Sequence, residues 1–193
     1  MSRFLGLDGA RAGWIVIGID DDDSVSHTLV RNIDDAHALL QQAESALIDM
    51  PIGIADAGPD ERRADPAARK LLGKRSSSVF PMPCRIALSK STYLEASAAN
   101  FEVCGRKLSK QTWNIMPKIA EVDVYVREHP DTCLRESHPE VCFTGLNGGV
   151  SMTHSKKTFE GHQERLRLLK RHYRKSLSTF TALRRAHPKK DLA

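Results

Sequence analysis

The first thirty residues alternate between apolar and polar positions with a period of about two, which is the spacing of β-strands. Apolar runs cover residues 3–8 and 14–19, and a looser alternation covers residues 25–30. Short turns rich in Gly or Asp separate the runs. The pattern therefore predicts three consecutive strands that form an antiparallel meander.

The apolar spacing then lengthens to that of a helix over residues 33–43, and a short buried strand is predicted at residues 46–50, closed by Pro51 and Gly53. Strand, helix and strand in this order imply a right-handed crossover into a parallel pairing. A last strand is predicted at residues 133–137. The sequence thus predicts an α/β mixed sheet, with three antiparallel strands followed by parallel strands and with flanking helices.

The rest of the chain is predicted to be mainly helical. Asp65 is expected to cap a helix with Pro66 in its first turn, and Thr92 with Glu95 resembles a capping box. In the last predicted helix, Arg165 is expected to point outward. The predicted helices are residues 65–72, 92–103, 110–127 and 161–173, and the predicted loops are residues 74–85 and 145–149. We expect a single domain over residues 1–193 with a helical insertion at about residues 62–128.

The composition is typical of a globular protein, with 193 residues of which 40% are hydrophobic and 27% are charged. No apolar run approaches the length of a membrane span, and the N-terminal residues do not resemble a secretory signal. The four cysteines form no CxxC pair, which argues against a zinc knuckle or a disulfide scaffold. These features predict a cytoplasmic protein without a membrane partner.

The net charge of +5 is distributed unevenly. From Ser155 onward the chain carries twelve Lys or Arg against three Asp or Glu, whereas the preceding residues carry an excess of acids. A basic segment attached to an acidic body is typical of electrostatic contact with nucleic acid. The alternative is an ordinary solvated helix face.

Acidic residues stand where several predicted strands end. Asp8 and Asp49 follow the first and fourth predicted strands, and Glu136 and Glu140 lie around the last. Asp8 precedes a glycine and could merely initiate a turn, whereas Asp49 has no such simple role. Because strand ends on one edge of a sheet converge, these carboxylates would repel one another unless a divalent cation such as Mg²⁺ or Mn²⁺ joins them. Two such ions about 4 Å apart can cleave a phosphodiester.

Several motifs resemble a family catalogued as a domain of unknown function and described as predicted nucleases with the ribonuclease H-like fold. The motifs follow one another in order over nearly the whole chain. They are GLDGARAGW, IDMPIGI, ARKLLGKRSSSVFPMP, WNIMPKIAEVD, ESHPEVCFTGLNGG and SKKTFEGHQERLRLL. The resemblance implies a metal-dependent nuclease.

The resemblance also assigns roles to residues. Asp8 would be the metal carboxylate of the first strand and Asp49 that of the fourth, with Glu136 and Glu140 as further catalytic candidates and Glu140 as a third metal ligand. Lys156 and Lys157 would bind phosphate or stabilise charge on the transferring phosphoryl group. A loop rich in donors to phosphate oxygens would contribute Arg75, Ser76 and Ser77.

One feature departs from the resemblance. Ribonuclease H-like nucleases generally complete their site with an acid from a C-terminal helix, and no acidic helix is predicted at the end of this chain. Truncation, a vestigial role for Asp191, or catalysis with fewer acids would each account for this departure. His138 is expected to be a turn-capping or otherwise hydrogen-bonded histidine rather than a metal ligand, and Lys156 with Lys157 could simply be solvated.

Two other functions remain possible from the sequence. The first is a non-catalytic nucleic-acid-binding module that uses the basic C-terminal segment over an incomplete active site. The second is a nucleotide phosphotransferase or phosphatase, because Gly6-Leu7-Asp8-Gly9 is faintly similar to the first phosphate loop of actin-like kinases. No second phosphate loop is evident, so this function ranks last.

Overall fold

A mixed sheet of five strands forms the centre of the computed structural model, which describes residues 3–56 and 62–187. The strand order is β3-β2-β1-β4-β5. β1 pairs antiparallel with β2 and parallel with β4, β2 pairs antiparallel with β3, and β4 pairs parallel with β5. The predicted α/β mixed sheet is confirmed, and the topology is consistent with a ribonuclease H-like arrangement. The strands are β1 (Phe4–Ala10), β2 (Gly13–Ile19), β3 (Val25–Val30), β4 (Ser45–Ile48) and β5 (Leu134–Glu136).

Helices connect and flank these strands, and four of them lie between β4 and β5. The predicted helices of residues 33–43, 92–103, 110–127 and 161–173 are confirmed to within a few residues, the first of them preceded by a 3₁₀ turn at Asp34–Ala36. The capping box of Thr92 and Glu95 is present at the start of its helix. The helices are α1 (His37–Gln42), α2 (Ala64–Leu72), α3 (Arg85–Leu88), α4 (Tyr93–Cys104), α5 (Lys110–Glu128), α6 (Pro139–Leu146), α7 (Phe159–His172) and α8 (Ser176–Ala186).

Some local predictions are wrong. Asp65 does not cap α2, because the helix begins at Ala64 and the buried Asp65 carboxylate lies 3.4 Å from Arg62. The predicted loop of residues 74–85 contains a 3₁₀ helix at Gly73–Ser78. Arg165 points inward rather than outward, since it is buried in an ion pair.

Three helices, α3, α6 and α8, were not predicted, and α3 is a single turn that begins at the last residue of the predicted loop of residues 74–85. α6 begins at Pro139, whose fixed φ suits the first helical position, and it extends into the predicted loop of residues 145–149. α8 follows α7 after a short turn and buries none of its residues fully. α6 has 8 residues and α8 has 11, so both lie at or below the shortest stretch over which apolar spacing identifies a helix.

The main core lies on one face of the sheet. Successive side chains of a strand point to opposite faces, so Leu5 and Leu7 of β1 and Ile48 of β4 all enter the core. α5 covers this face with the fully buried Ile119 and Val122. Gly6 of β1 and Leu47 of β4 therefore point to the opposite face, as do Asp8, which follows Leu7, and Asp49, which follows Ile48.

Candidate active site

Asp8 and Asp49 are neighbours across the junction of β1 and β4. Leu7 pairs with Ile48 in this parallel ladder, and the Asp49 backbone N–H donates to the Leu7 carbonyl at 3.1 Å. Each aspartate follows a core residue, so both side chains point away from the core and toward the same face. Adjacent strands lie about 4.8 Å apart, which brings the two carboxyl groups close together, as the positions of the strand ends predict.

The electrostatic environment of the two carboxyls reflects this proximity. Burial raises the pKa of Asp49 to about 6, with a further contribution from the negative charge of Asp8. Asp8 is open to the cleft, yet the surrounding walls partly remove its water, and this desolvation raises the pKa of its carboxyl as well. Among the described residues neither carboxyl forms an ion pair. Two desolvated carboxyls without a paired cation form a site that favours a cation.

Two lysines approach the acid pair from different elements. Lys156 precedes α7, and its positive charge lowers the pKa of both Asp8 and Asp49, although desolvation outweighs it. Lys118 lies on α5 and acts on Asp8 in the same direction. The sequence predicted Lys156 as a phosphate-binding residue, and the structure places it beside the acids. Lys118 was not predicted.

Glu136 lies next to the acid pair but forms an ion pair with Arg62. It pairs with Ile48 at the end of β5, and its charge contributes to the raised pKa of Asp49. Its carboxylate accepts from Arg62 Nη2 at 2.6 Å and from the backbone N–H of Ile52 at 3.0 Å. These bonds join β5 to the segment that follows β4, so Glu136 fixes the loop that carries Asp49.

Glu140 is buried and fully paired. Each of its carboxylate oxygens accepts from Arg165 Nη2 at 2.7 Å, and Arg165 Nη1 also donates to the carbonyls of Gly161 and His154. The structure therefore does not join Glu140 to Asp8 and Asp49 as a third open carboxylate. The ion pair instead connects α6 to α7, the helix that follows Lys156.

The other predicted phosphate-binding residues are only partly available. Arg75 donates to the carbonyls of Met152 and Thr153, the latter at 2.8 Å, so much of its guanidinium holds the chain that leads to Lys156. Ser77 and Lys157 line the cleft beside the acids, whereas Ser76 does not. Asp191, the residue considered as a vestigial acid, lies outside the described residues.

His138 faces the cleft beside Asp49. Its Nε2 lies 3.2 Å from the carbonyl of Ser78, while its buried Nδ1 contacts no polar partner in the described residues. The predicted capping role is not observed, because His138 stands at the N-cap of α6 without a side-chain cap bond. A cationic form of His138 would lower the pKa of Asp49.

One broad cleft of about 1540 Å³ is lined by Asp8, Asp49, Lys118, Glu136, His138, Glu140 and Lys156. Typical small-molecule pockets measure about 300–1,000 Å³, so the cleft has room for more than a small ligand. α5 forms one wall through polar residues spaced at three or four positions, and this polar stripe was the sequence signal for Lys118. The stripe consists of Gln111, Asn114, Lys118 and Glu121.

The donor set suits a hard divalent cation. Mg²⁺ is usually held by one or two carboxylates together with waters and substrate phosphates. Asp8 and Asp49 meet that requirement, and their pKa values are raised because desolvation outweighs the charges of the nearby lysines. Within residues 3–56 and 62–187 no group of three or more His, Cys, Asp and Glu residues is arranged to hold a metal ion. The residues thus fit an open site with few protein ligands rather than a closed cage.

The fold and this cleft define an α/β protein whose topology is consistent with a ribonuclease H-like arrangement and which carries an acidic pair where β1 adjoins β4. Residues 6–192 match the family described as "Protein of unknown function (DUF429)", and the chain belongs to that family. Neither the curated proteins nor the solved structures contain a match. In the described part of the chain, no helix has the length and apolar character needed to cross a membrane.

Proposed function

We propose that this protein is a divalent-metal-dependent nuclease that hydrolyses phosphodiester bonds of DNA or RNA. One observation carries the proposal. Asp8, inside β1 two residues before its end, and Asp49, directly after β4, lie side by side, desolvated and without an ion-pair partner among the described residues. A carboxyl pair of this kind costs free energy unless a cation binds it, so its presence in a cleft indicates a functional site.

Asp8 and Asp49 would hold Mg²⁺ or Mn²⁺. When bound, the ion would lower the pKa of a water molecule and stabilise charge on the phosphoryl oxygens. In the hydrolysis, a water oxygen bonds to phosphorus, one ester bond breaks, and a proton passes to the departing oxygen. Lys156 lies where it can attract the phosphate toward the acid pair, and the Glu140–Arg165 ion pair secures the helix behind it.

The distribution of charge supports a nucleic acid as the substrate. α7 and α8 carry exposed basic residues, and α7 begins directly after Lys156 and Lys157 in the cleft. Such a surface attracts phosphates over distances of about 10 Å at moderate salt. The exposed basic residues of these helices are Arg167, Lys170, Arg171, Arg184 and Arg185.

A cleavage assay on labelled single- and double-stranded DNA and RNA tests the proposal. The native protein should cleave with Mn²⁺ and not with chelator. Asp8→Asn and Asp49→Asn should each slow cleavage by about 1,000-fold or more, because each removes a ligand of the ion. Asp131→Asn is the matched control, since Asp131 is an exposed acid that does not line the cleft. Cleavage that persists in chelator or in Asp8→Asn would refute the proposal.

A second function has one observation in its favour. Glu136 and Glu140 are both held by arginines, which leaves a cleft with only two open carboxylates from the four predicted. A non-catalytic nucleic-acid-binding module would have such a site. In that case nucleic acid should bind in a salt-sensitive manner, and binding should not respond to Asp8→Asn or to chelator.

A further inference from the structure

Lys118 is held by two contacts near the acid pair. Its ammonium donates to the Gly13 carbonyl at 2.6 Å and stands 4.2 Å from the ring centroid of Trp14. Trp14 is itself fully buried, and its indole N–H donates to Glu121 at 2.8 Å. An ammonium has three donors, so the bond to Gly13 leaves others for a ligand in the cleft.

Gly9, the residue next to Asp8, has no side chain and so leaves room for Lys118. A Cβ atom on Gly9 would lie 2.8 Å from Cδ of Lys118 and 3.3 Å from its Cε. The aliphatic part of Lys118 therefore lies directly on the β1 backbone beside Asp8. Its charge stabilises the ionised form of Asp8, yet no ion pair between the two is formed in the described residues. The gap between them is open to the cleft, which both residues line.

The paired acids limit how many ions the cleft can hold. A site for two ions needs carboxylates that bridge or ligate each ion, and Arg62 and Arg165 already occupy the carboxylates of Glu136 and Glu140. Asp8 and Asp49 together can hold one ion in the manner usual for Mg²⁺. The positive charge that a second ion would provide to a phosphate must then come from side chains.

We infer that the cleft binds a single divalent ion and that Lys118, fixed by Gly13, Trp14 and Gly9, supplies to the phosphate the positive charge that a second ion would otherwise supply. This inference rests on the proposed nuclease function. A lysine is a compact point charge with rotatable donors, and this one is held by β2 and α5 rather than by a mobile loop. The two cationic groups then act from opposite walls, with Lys118 on α5 and Lys156 on the segment before α7.

The test combines Mn²⁺ titration by calorimetry with the cleavage assay, on the native protein and on Lys118→Gln. The glutamine amide can still donate to the Gly13 carbonyl but carries no charge. The native protein should bind one Mn²⁺ per chain. In Lys118→Gln, Mn²⁺ should bind about 5-fold more tightly because a nearby positive charge is gone, while cleavage should slow by about 100-fold.

Lys110→Gln is the matched control. Lys110 lies on the same helix and stacks on an aromatic ring, with its ammonium 3.4 Å from the ring centroid of Tyr93, but it does not line the cleft. This variant should leave Mn²⁺ affinity and cleavage unchanged. A purely structural role of Lys118 would slow cleavage without tightening Mn²⁺ binding, and thermal unfolding would detect it.

The outcomes separate the two proposals. Two Mn²⁺ ions bound to the native chain, or unaltered Mn²⁺ affinity in Lys118→Gln, would overturn the inference and leave the nuclease proposal standing. A native chain that binds no Mn²⁺ would overturn both.

Discussion

Four of the acidic residues that line the cleft form two pairs that differ in their partners. Glu136 and Glu140 each accept hydrogen bonds from an arginine, Arg62 and Arg165 respectively. In the described part of the chain no arginine pairs with Asp8 or Asp49, and the pKa values of these two acids are raised instead. All four acids line the same cleft.

This difference shows that the same chemical group, a carboxylate, serves two purposes in the cleft. A carboxylate that is buried with a well-aligned arginine joins two elements of the fold, as the Glu140–Arg165 pair joins α6 to α7. A carboxylate that is partly buried beside another acid destabilises the fold until a cation binds. Pairing, rather than residue type or position at a strand end, therefore distinguishes the scaffold acids from the candidate metal ligands.

The largest expected change in the free energy of unfolding comes from breaking the buried Glu140–Arg165 ion pair. Glu140→Gln leaves Arg165 charged and buried without its counterion, so the free energy of unfolding should fall by about 3–5 kcal/mol. Thermal unfolding should then occur roughly 10 °C lower. The measurement is calorimetric or optical melting at neutral pH.

Replacing both partners provides the control for Glu140→Gln. A double variant with Glu140→Met and Arg165→Met removes both charges and should recover at least half of the lost stability. If Glu140→Gln melts at the native temperature, the ion pair does not secure α7, and the distinction between the two acid pairs is wrong.

A smaller change in the free energy of unfolding, of opposite sign, is expected when Asp49 of the Asp8–Asp49 pair is replaced. The raised pKa of Asp49, about 6 in the folded protein, means that the folded state binds more protons than the unfolded state between about pH 4 and pH 6. Stability should therefore fall as the pH rises through that window. In metal-free buffer at pH 7.5, Asp49→Asn should raise the free energy of unfolding by about 1 kcal/mol after allowance for solvent in the open cleft.

The gain in Asp49→Asn should disappear when melting is measured near pH 4, where the native carboxyl is also protonated. Asp131→Asn, at an exposed acid outside the cleft, should change stability at neither pH. A destabilised Asp49→Asn at pH 7.5 would mean that the Asp49 carboxylate has a stabilising partner and is not an open site.

The sheet and the open acid pair were predictable from the sequence because each depends on local patterns. Short apolar runs bounded by Gly- and Asp-containing turns mark β1 and β2, and an acid at the end of an apolar run is poorly suited to packing. Asp8 and Asp49 could thus be selected before their neighbours were known. Their proximity followed from the expectation that parallel strand ends converge.

The roles of the glutamates were not predictable because they depend on contacts between distant elements. Arg165 has the spacing of a charged residue on an amphipathic helix, and nothing local indicates that it turns inward to Glu140 on α6. Arg62 likewise meets Glu136 across 74 positions of the chain. Lys118 could have been identified from the sequence, because the polar stripe of α5 includes it. The prediction for that helix rested on its apolar residues instead.

The most direct test of the central claim compares Mn²⁺ binding by calorimetry in variants of the two acid pairs. The account predicts that the native protein binds Mn²⁺, that Asp8→Asn and Asp49→Asn each abolish binding, and that Glu136→Gln retains it, because only the first two carboxylates are open to an ion. Equal loss of binding in Glu136→Gln, or binding that survives in Asp8→Asn, would contradict the assignment of the metal to the Asp8–Asp49 pair.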